Sequence, residues 1–248
     1  MSAPEDEPQL DVAVQTGTGP LRLDLPRRLL AEALGTGFLI VAVIGSGIMA
    51  SRLSPDDVGL QLLENAAATA GALIALILML GGVSSAHFNP VVTLVDRLLG
   101  TISTRDAVAY AGAQTFGACV GAVVANLMFD LPAVEFSTKS RSSGPLWLSE
   151  VVATVGLLLV INGCVRTGRA AAVPFAVGVW IGAAYWFTSS TSFANPAVTI
   201  ARTLSDTFAG IKPSSAPAFI GMQVVGALMA FALIRYLYVH PNDVSGQR

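Results

Sequence analysis

Two short strings carry most of the chemical information in this chain, 86-AHFNPVVTLVD-96 and 192-SFANPAVTIAR-202. Each reads as a helix start. Asn is a good N-cap, and Pro, with a preset φ and no N–H, suits the first helical position. The first start is Asn89-Pro90-Val91 and the second is Asn195-Pro196-Ala197. A helix N-terminus presents unpaired N–H groups and roughly half a positive charge. Asn89 and Asn195 add side-chain amide donors at the same level. Water or another hydroxylated neutral solute can accept those hydrogen bonds. A cation meets a positive field with no compensating carboxylate.

Both helices are short. The first runs from Pro90 to about Leu99, where Gly100 ends it, and the second from Pro196 to about Ser205. About ten residues at ~1.5 Å each cover ~15 Å, half of a ~30 Å hydrocarbon core. Each is a half-helix, and two of them meeting end to end at mid-membrane complete one broken span.

Glu32 and Glu150 are the other chemically loaded residues, each with a Thr four positions later, Thr36 and Thr154. A carboxylate inside a span is costly and is a functional candidate by default. One role is a proton relay. The other is structural: accepting hydrogen bonds from the non-helical loop before each half-helix, whose backbone cannot face lipid unsatisfied. One Glu per loop favours the structural role. No nucleotide loop, metal-spaced His/Cys cluster or nucleophile–base arrangement is present, so neither an enzyme nor a cofactor or metal is expected. The histidines are His87 and His240, and His87 precedes a half-helix, where packing or gating is expected.

The elements that must hold these residues are membrane spans. Of 248 residues, 53% are hydrophobic and 12% charged, about half the ~25% charge of a soluble domain; mean hydropathy is +0.66. Six apolar stretches are long enough to cross a bilayer: Leu29–Ala50, Ala66–Val83, Ala107–Phe129, Trp147–Val165, Ala170–Phe187 and Ala218–Val239. Cys119 and Cys164 fall inside them and read as packing thiols. Residues 1–26 read as a disordered tail without a signal-peptide pattern. Nine of the 14 Lys and Arg fall on the side of both termini, which places the termini in the cytoplasm. A net charge of −2 gives no sign of nucleic-acid binding.

The chain repeats itself. The order Glu, Asn-Pro, Gln-x-x-Gly occurs twice, ending at Gln114 and at Gln223. Three spans per repeat is odd, so the second copy is inverted in the membrane, an architecture of transport proteins. The expected organisation is a channel domain over 27–240, with repeat one about 27–129, repeat two about 145–240 and a tail at 241–248. The fold class is all-α integral membrane, with six transmembrane helices and two half-helices.

With the doubled Glu, SAHFNPVVTL and ANPAVT, the chain resembles the aquaporin and aquaglyceroporin (major intrinsic protein) family over about residues 27–240. The resemblance implies a right-handed bundle of tilted helices, assembled as a homotetramer with one pore per protomer. It gives His87 the place of the family's loop histidine. It also implies a selectivity filter at Thr69, Ala183, Ser192 and Val198, by spacing from the Asn-Pro residues. In the family an Arg follows the second NPA; here that residue is Val198. None of the four positions is aromatic or charged, so the expected constriction is wide and weakly polar. Val at this place is similar to a bacterial branch associated with arsenic-resistance operons. That likeness implies metalloid hydroxides (arsenite, antimonite, methylated arsenicals) as solutes beside glycerol-like polyols and water, in a bacterial inner membrane.

Arg202 lies four residues beyond Val198 on a similar helix face. It is a candidate outer-mouth charge, with snorkelling to lipid headgroups as the alternative. Its counterpart in the first repeat is Asp96; each stands seven residues after its Asn. Three other functions stay open: a strict water channel, a proton-coupled secondary transporter using Glu32 or Glu150, and a closed-pore junction protein.

Overall fold

The computed structural model describes residues 23–238. Residues 1–22 of the expected N-terminal tail, the 241–248 tail and His240 lie outside them. Among the described residues there are eight α-helices. Six are long and apolar enough to cross a membrane: α1 (Leu25–Leu53), α2 (Val58–Ser84), α4 (Thr104–Met128), α5 (Gly144–Arg166), α6 (Val173–Phe187, led in by a 3-10 turn at Ala170–Ala172) and α8 (Ala216–Leu237). The two short ones are α3 (Pro90–Leu98) and α7 (Pro196–Ala201), the latter continued by a 3-10 turn at Arg202–Leu204.

Local chemistry fixes the helix starts. Pro occupies the first turn of α1, α3, α5, α6, α7 and α8, where its missing N–H costs nothing. The Asp57 side chain caps α2 through Leu60 N, and Ser103 caps α4 through Asp106 N. Helix α1 begins at Leu25, so the expected 1–26 tail overlaps its first turn. Gly100 follows α3 with φ +82°, a left-handed conformation that glycine adopts without strain.

Polarity is inverted relative to a water-soluble protein. Glu32, Glu150, Gln114, Gln223, Thr36 and Thr154 are fully buried, while Phe116, Val108, Phe175 and Val179 are exposed. In water such a surface would aggregate; in a bilayer it is the lipid face, and the interior polar groups must satisfy one another.

Packing follows the repeat. Helix α1 lies against α4, and α5 against α8, as corresponding pairs. At Gly117 the backbones of α1 and α4 are so close that an added methyl would overlap the Ala33 carbonyl. At the corresponding Gly226 an added methyl would sit 2.9 Å from the Val151 carbonyl oxygen on α5. Both follow the repeated Gln by three residues, so Gln-x-x-Gly marks the close contact of each half. Gly221, by contrast, faces open space. With six spans both described ends of the chain lie on one side, here the terminal side. Helix α3 enters from that side and α7 from the opposite one.

Candidate functional site

The loops ahead of α3 and α7 are left-handed at three of their last five residues: Ser85, Ala86 and Phe88 in one, Thr191, Ser192 and Ala194 in the other. None of these is glycine, and such conformations cost of order 1 kcal/mol each. The two glutamates hold them. Glu32 Oε1 accepts from Ser84 Oγ (2.6 Å) and His87 N–H (3.0 Å), and Oε2 from Phe88 N–H (2.7 Å) and Gln114 Nε2 (2.7 Å). Glu150 Oε1 accepts from Ser190 Oγ (2.6 Å) and Phe193 N–H (3.0 Å), and Oε2 from Ala194 N–H (2.8 Å) and Gln223 Nε2 (2.6 Å). Each glutamine also donates to the half-helix: Gln114 to Thr93 Oγ1 at 3.0 Å, Gln223 to Thr199 Oγ1 at 2.9 Å. Ser84 and Ser190 are structural partners that sequence reading missed. Their signal was a Ser five residues before each motif Asn.

The two half-helix starts are tied to each other. Asn89 Nδ2 donates to the Ala194 carbonyl (2.7 Å), and Asn195 Nδ2 donates to the Phe88 carbonyl (2.8 Å). Their Oδ1 atoms cap their own helices, accepting from Val91 N–H (3.0 Å) and from Ala197 N–H (3.0 Å). An amide nitrogen has two hydrogens. One crosses to the other repeat, which leaves the second available to a solute. Pro196, Val91 and Ala197 are buried behind this junction, and Pro90 is partly buried.

One cavity of about 540 Å³ passes the junction. Its wall includes Asp96, His87 and Arg166 toward the terminal side, Asn89 and Asn195 at the middle, and Thr69, Tyr185, Ser192, Val198 and Arg202 toward the opposite side. Apolar residues such as Leu73, Val92, Val177 and Ile181 make up much of the rest. Glu32 and Glu150 are not in the wall. Among the described residues no group of three His, Cys, Asp or Glu is placed to hold a metal.

Of the expected filter residues, Thr69, Ser192 and Val198 lie together on the cavity, all nearly buried. Ala183 does not; it is exposed on the outer face of α6. The cavity face of α6 is Pro174, Val177, Ile181 and Tyr185, a helical spacing of three and four. Tyr185 stands ten residues before Asn195, whereas counting by family spacing reached twelve, to Ala183. Two residues rotate a helix by ~200°, enough to exchange the pore face for the lipid face. The cavity wall around Thr69 is therefore not free of aromatics: Tyr185 Oη pairs with Thr69 Oγ1 at 3.2 Å.

Arg202 is buried, 2% exposed, and does not reach toward headgroups. Its Nε donates to the Ala209 carbonyl, and its guanidinium carbon lies 3.4 Å from the centre of the Phe193 ring. At the other end His87 bridges Thr93 Oγ1 (3.0 Å, through Nδ1) and Asp96 Oδ2 (3.0 Å, through Nε2). The segment 131–143 closes over the Arg202 end, with Glu135 and Ser137 N–H groups donating to the Leu204 and Thr203 carbonyls at 3.1 and 3.0 Å.

Comparison with known proteins agrees with this geometry. Residues 21–190 and 162–248 each match the Major intrinsic protein family. The chain is 51% identical over 214 residues to aquaglyceroporin AqpS of Rhizobium meliloti (strain 1021), covering 86% of this chain and 91% of that one. It is 30% identical over 230 residues to aquaporin A of Dictyostelium discoideum, covering 86% and 79%. The X-ray structure of the aquaglyceroporin from Plasmodium falciparum superposes with a TM-score of 0.65 at 21% identity, over 86% of this chain and 98% of that one, which shows the shared fold. The chain therefore belongs to the major intrinsic protein family, passive membrane channels for water and small solutes rather than enzymes.

Proposed function

We propose that this channel is a broad one, passing glycerol-like polyols and uncharged metalloid hydroxides (arsenite, antimonite, methylated arsenicals) together with water. The observation that carries the reading is Val198. A short apolar side chain lines the cavity together with Thr69 and Ser192, where a long cationic one would narrow it. The solutes fit the lining: hydroxyl groups meet the free amide hydrogens of Asn89 and Asn195, and carbon or metalloid faces meet the apolar wall. Likeness to a relative named an aquaglyceroporin over 86% of the chain supports the polyol class.

One observation favours the narrower reading of a strict water channel, namely Tyr185 in place of a small residue in the neck. A proton-coupled transporter is disfavoured, because each Glu spends both oxygens on four protein donors away from the cavity. The surrounding assignment is a bacterial inner membrane, with the terminal side cytoplasmic and the chain assembled as a homotetramer with one pore per protomer.

Stopped-flow light scattering on proteoliposomes tests the solute class. Water, glycerol, urea and arsenite should all equilibrate faster than in empty vesicles, without dependence on a proton gradient. Flux of water alone would leave the strict water channel as the reading.

A further inference from the structure

Val198 leaves the neck without the family's charged residue, yet charge has not left this end of the cavity. Arg202 is on the wall one helical turn outward. It is buried, and among the described residues no carboxylate lies within ion-pair distance of it. The ion pairs found there join Arg27 to Asp24 and Arg28 to Asp106, and His87 is hydrogen-bonded to Asp96, all toward the terminal side. Its Nε is spent on the Ala209 carbonyl, while its two terminal nitrogens make no hydrogen bond to any described residue.

The setting of Arg202 is built. The Phe193 ring stacks under it at 3.4 Å, and the same ring carries a second guanidinium, Arg141, at 5.0 Å. Arg141 is itself buried and held by the Gly210 and Ser190 carbonyls at 3.0 Å each. Ser192 adds a buried hydroxyl on the cavity wall whose Oγ has no partner among the described residues. An unpaired buried charge is costly, and in a membrane protein it is a functional candidate by default.

We infer that Arg202 is the charge-selecting residue of this pore, rejecting cations from one turn outside the neck while Val198 leaves the neck wide. The division matters because a family-type Arg at 198 does two things at once: it occupies the aperture and repels cations. Here the two tasks fall to two residues. Size is set by Val198 with Tyr185 and Thr69. Sign is set by Arg202, with Arg141 behind the ring reinforcing the field. The terminal nitrogens of Arg202 are also matched to the oxygens of an entering hydroxylated solute. This inference rests on the broad-channel reading only in taking the pore to be open.

The test is a pair of fluxes in the same proteoliposomes: glycerol by light scattering, and guanidinium and sodium by tracer uptake, with water flux reporting an open pore. Wild type should pass glycerol and exclude both cations. Arg202→Gln should raise the cation-to-glycerol permeability ratio by roughly tenfold or more, as expected for losing one near charge at low dielectric. Arg202→Lys should hold the ratio near wild type. The double variant Val198→Arg/Arg202→Gln should restore cation exclusion and lose glycerol, because it returns charge and bulk to one position. An Arg202→Gln pore that conducts water yet excludes cations as wild type does would overturn the inference. So would a double variant that conducts water and still leaks cations. Failure of wild type to pass glycerol would count against the broad aperture alone, since cation exclusion is read separately.

Discussion

The two pore loops share one backbone conformation and diverge at one pair of touching positions. In both, the residue two before the motif Asn touches the residue seven after it. In the first repeat the couple is His87 and Asp96, joined at 3.0 Å. In the second it is Phe193 and Arg202, stacked at 3.4 Å. The same geometry thus places an acidic, hydrogen-bonded couple at one mouth and a cationic, aromatic one at the other. The main ties of the scaffold are duplicated: the Glu with four donors, the Ser beneath it, the Gln–Thr link and the left-handed residues. The couples lining the two ends of the cavity are not. Inverted duplication of a chain yields a symmetric frame, and function enters where the copies diverge.

The largest expected effect tests the symmetric part. Glu32→Ala and Glu150→Ala each orphan two backbone N–H groups and two side-chain donors in the interior. Each should cost about 3–5 kcal/mol, and the two costs should agree within about 1 kcal/mol. Unfolding of the purified protein in detergent measures both. Unequal losses would show that the two loops do not carry the same strain.

A smaller effect tests an asymmetry inside the frame. Phe88 precedes Asn89, and its ring lies against Gly35, where an added methyl would overlap it. The corresponding residues of the second repeat are Ala194 and Ala153, both small and fully buried. Gly35→Ala should therefore cost about 1–3 kcal/mol through overpacking. Ala153→Gly should cost no more than about 1 kcal/mol, the helix-propensity term. The same unfolding experiment separates them, and equal costs would sink the argument.

The smallest effect concerns the cationic mouth. Lys139, in the segment over Arg202, donates to the Phe208 carbonyl at 2.9 Å. Partial burial, then Arg141 and Arg202, hold its pKa down to about 8, below the ordinary value near 10.5. Above pH 8 the folded protein sheds this proton while the unfolded chain keeps it, so the penalty is full below pH 8 and relieved as pH rises toward 10.5. Lys139→Met should be slightly more stable than wild type at pH 7, by roughly a few tenths of a kcal/mol after screening, and the gap should narrow at pH 9. A gap that widens between those pH values would contradict the assigned shift.

What was legible in the sequence was what local chemistry dictates. Asn-Pro fixes a helix start wherever it stands, so both half-helices and their lengths could be read. The doubled Glu and Gln followed from the repeat. Tyr185 was not legible, because which face of α6 meets the cavity depends on the length of the loop after it. A two-residue difference there moved the assignment from Ala183 to the opposite side of the helix. Arg202 was visible as a charge one turn from Val198. Its burial was not, because it depends on Phe193 beneath it and on the segment 131–143, more than fifty residues away in sequence. Ser84 and Ser190 were in plain view at matching positions, but a single Ser becomes informative only once its carboxylate partner is known.

We propose that Val198 sets the aperture of this pore. Glycerol and water permeabilities of wild type and Val198→Arg, measured by stopped flow in matched proteoliposomes, test it most directly. Wild type should conduct both, and Val198→Arg should lose glycerol by tenfold or more, about 1.4 kcal/mol of added barrier, while keeping most of its water flux. Equal glycerol permeability in the two proteins would contradict it and move the constriction to Tyr185 and Thr69.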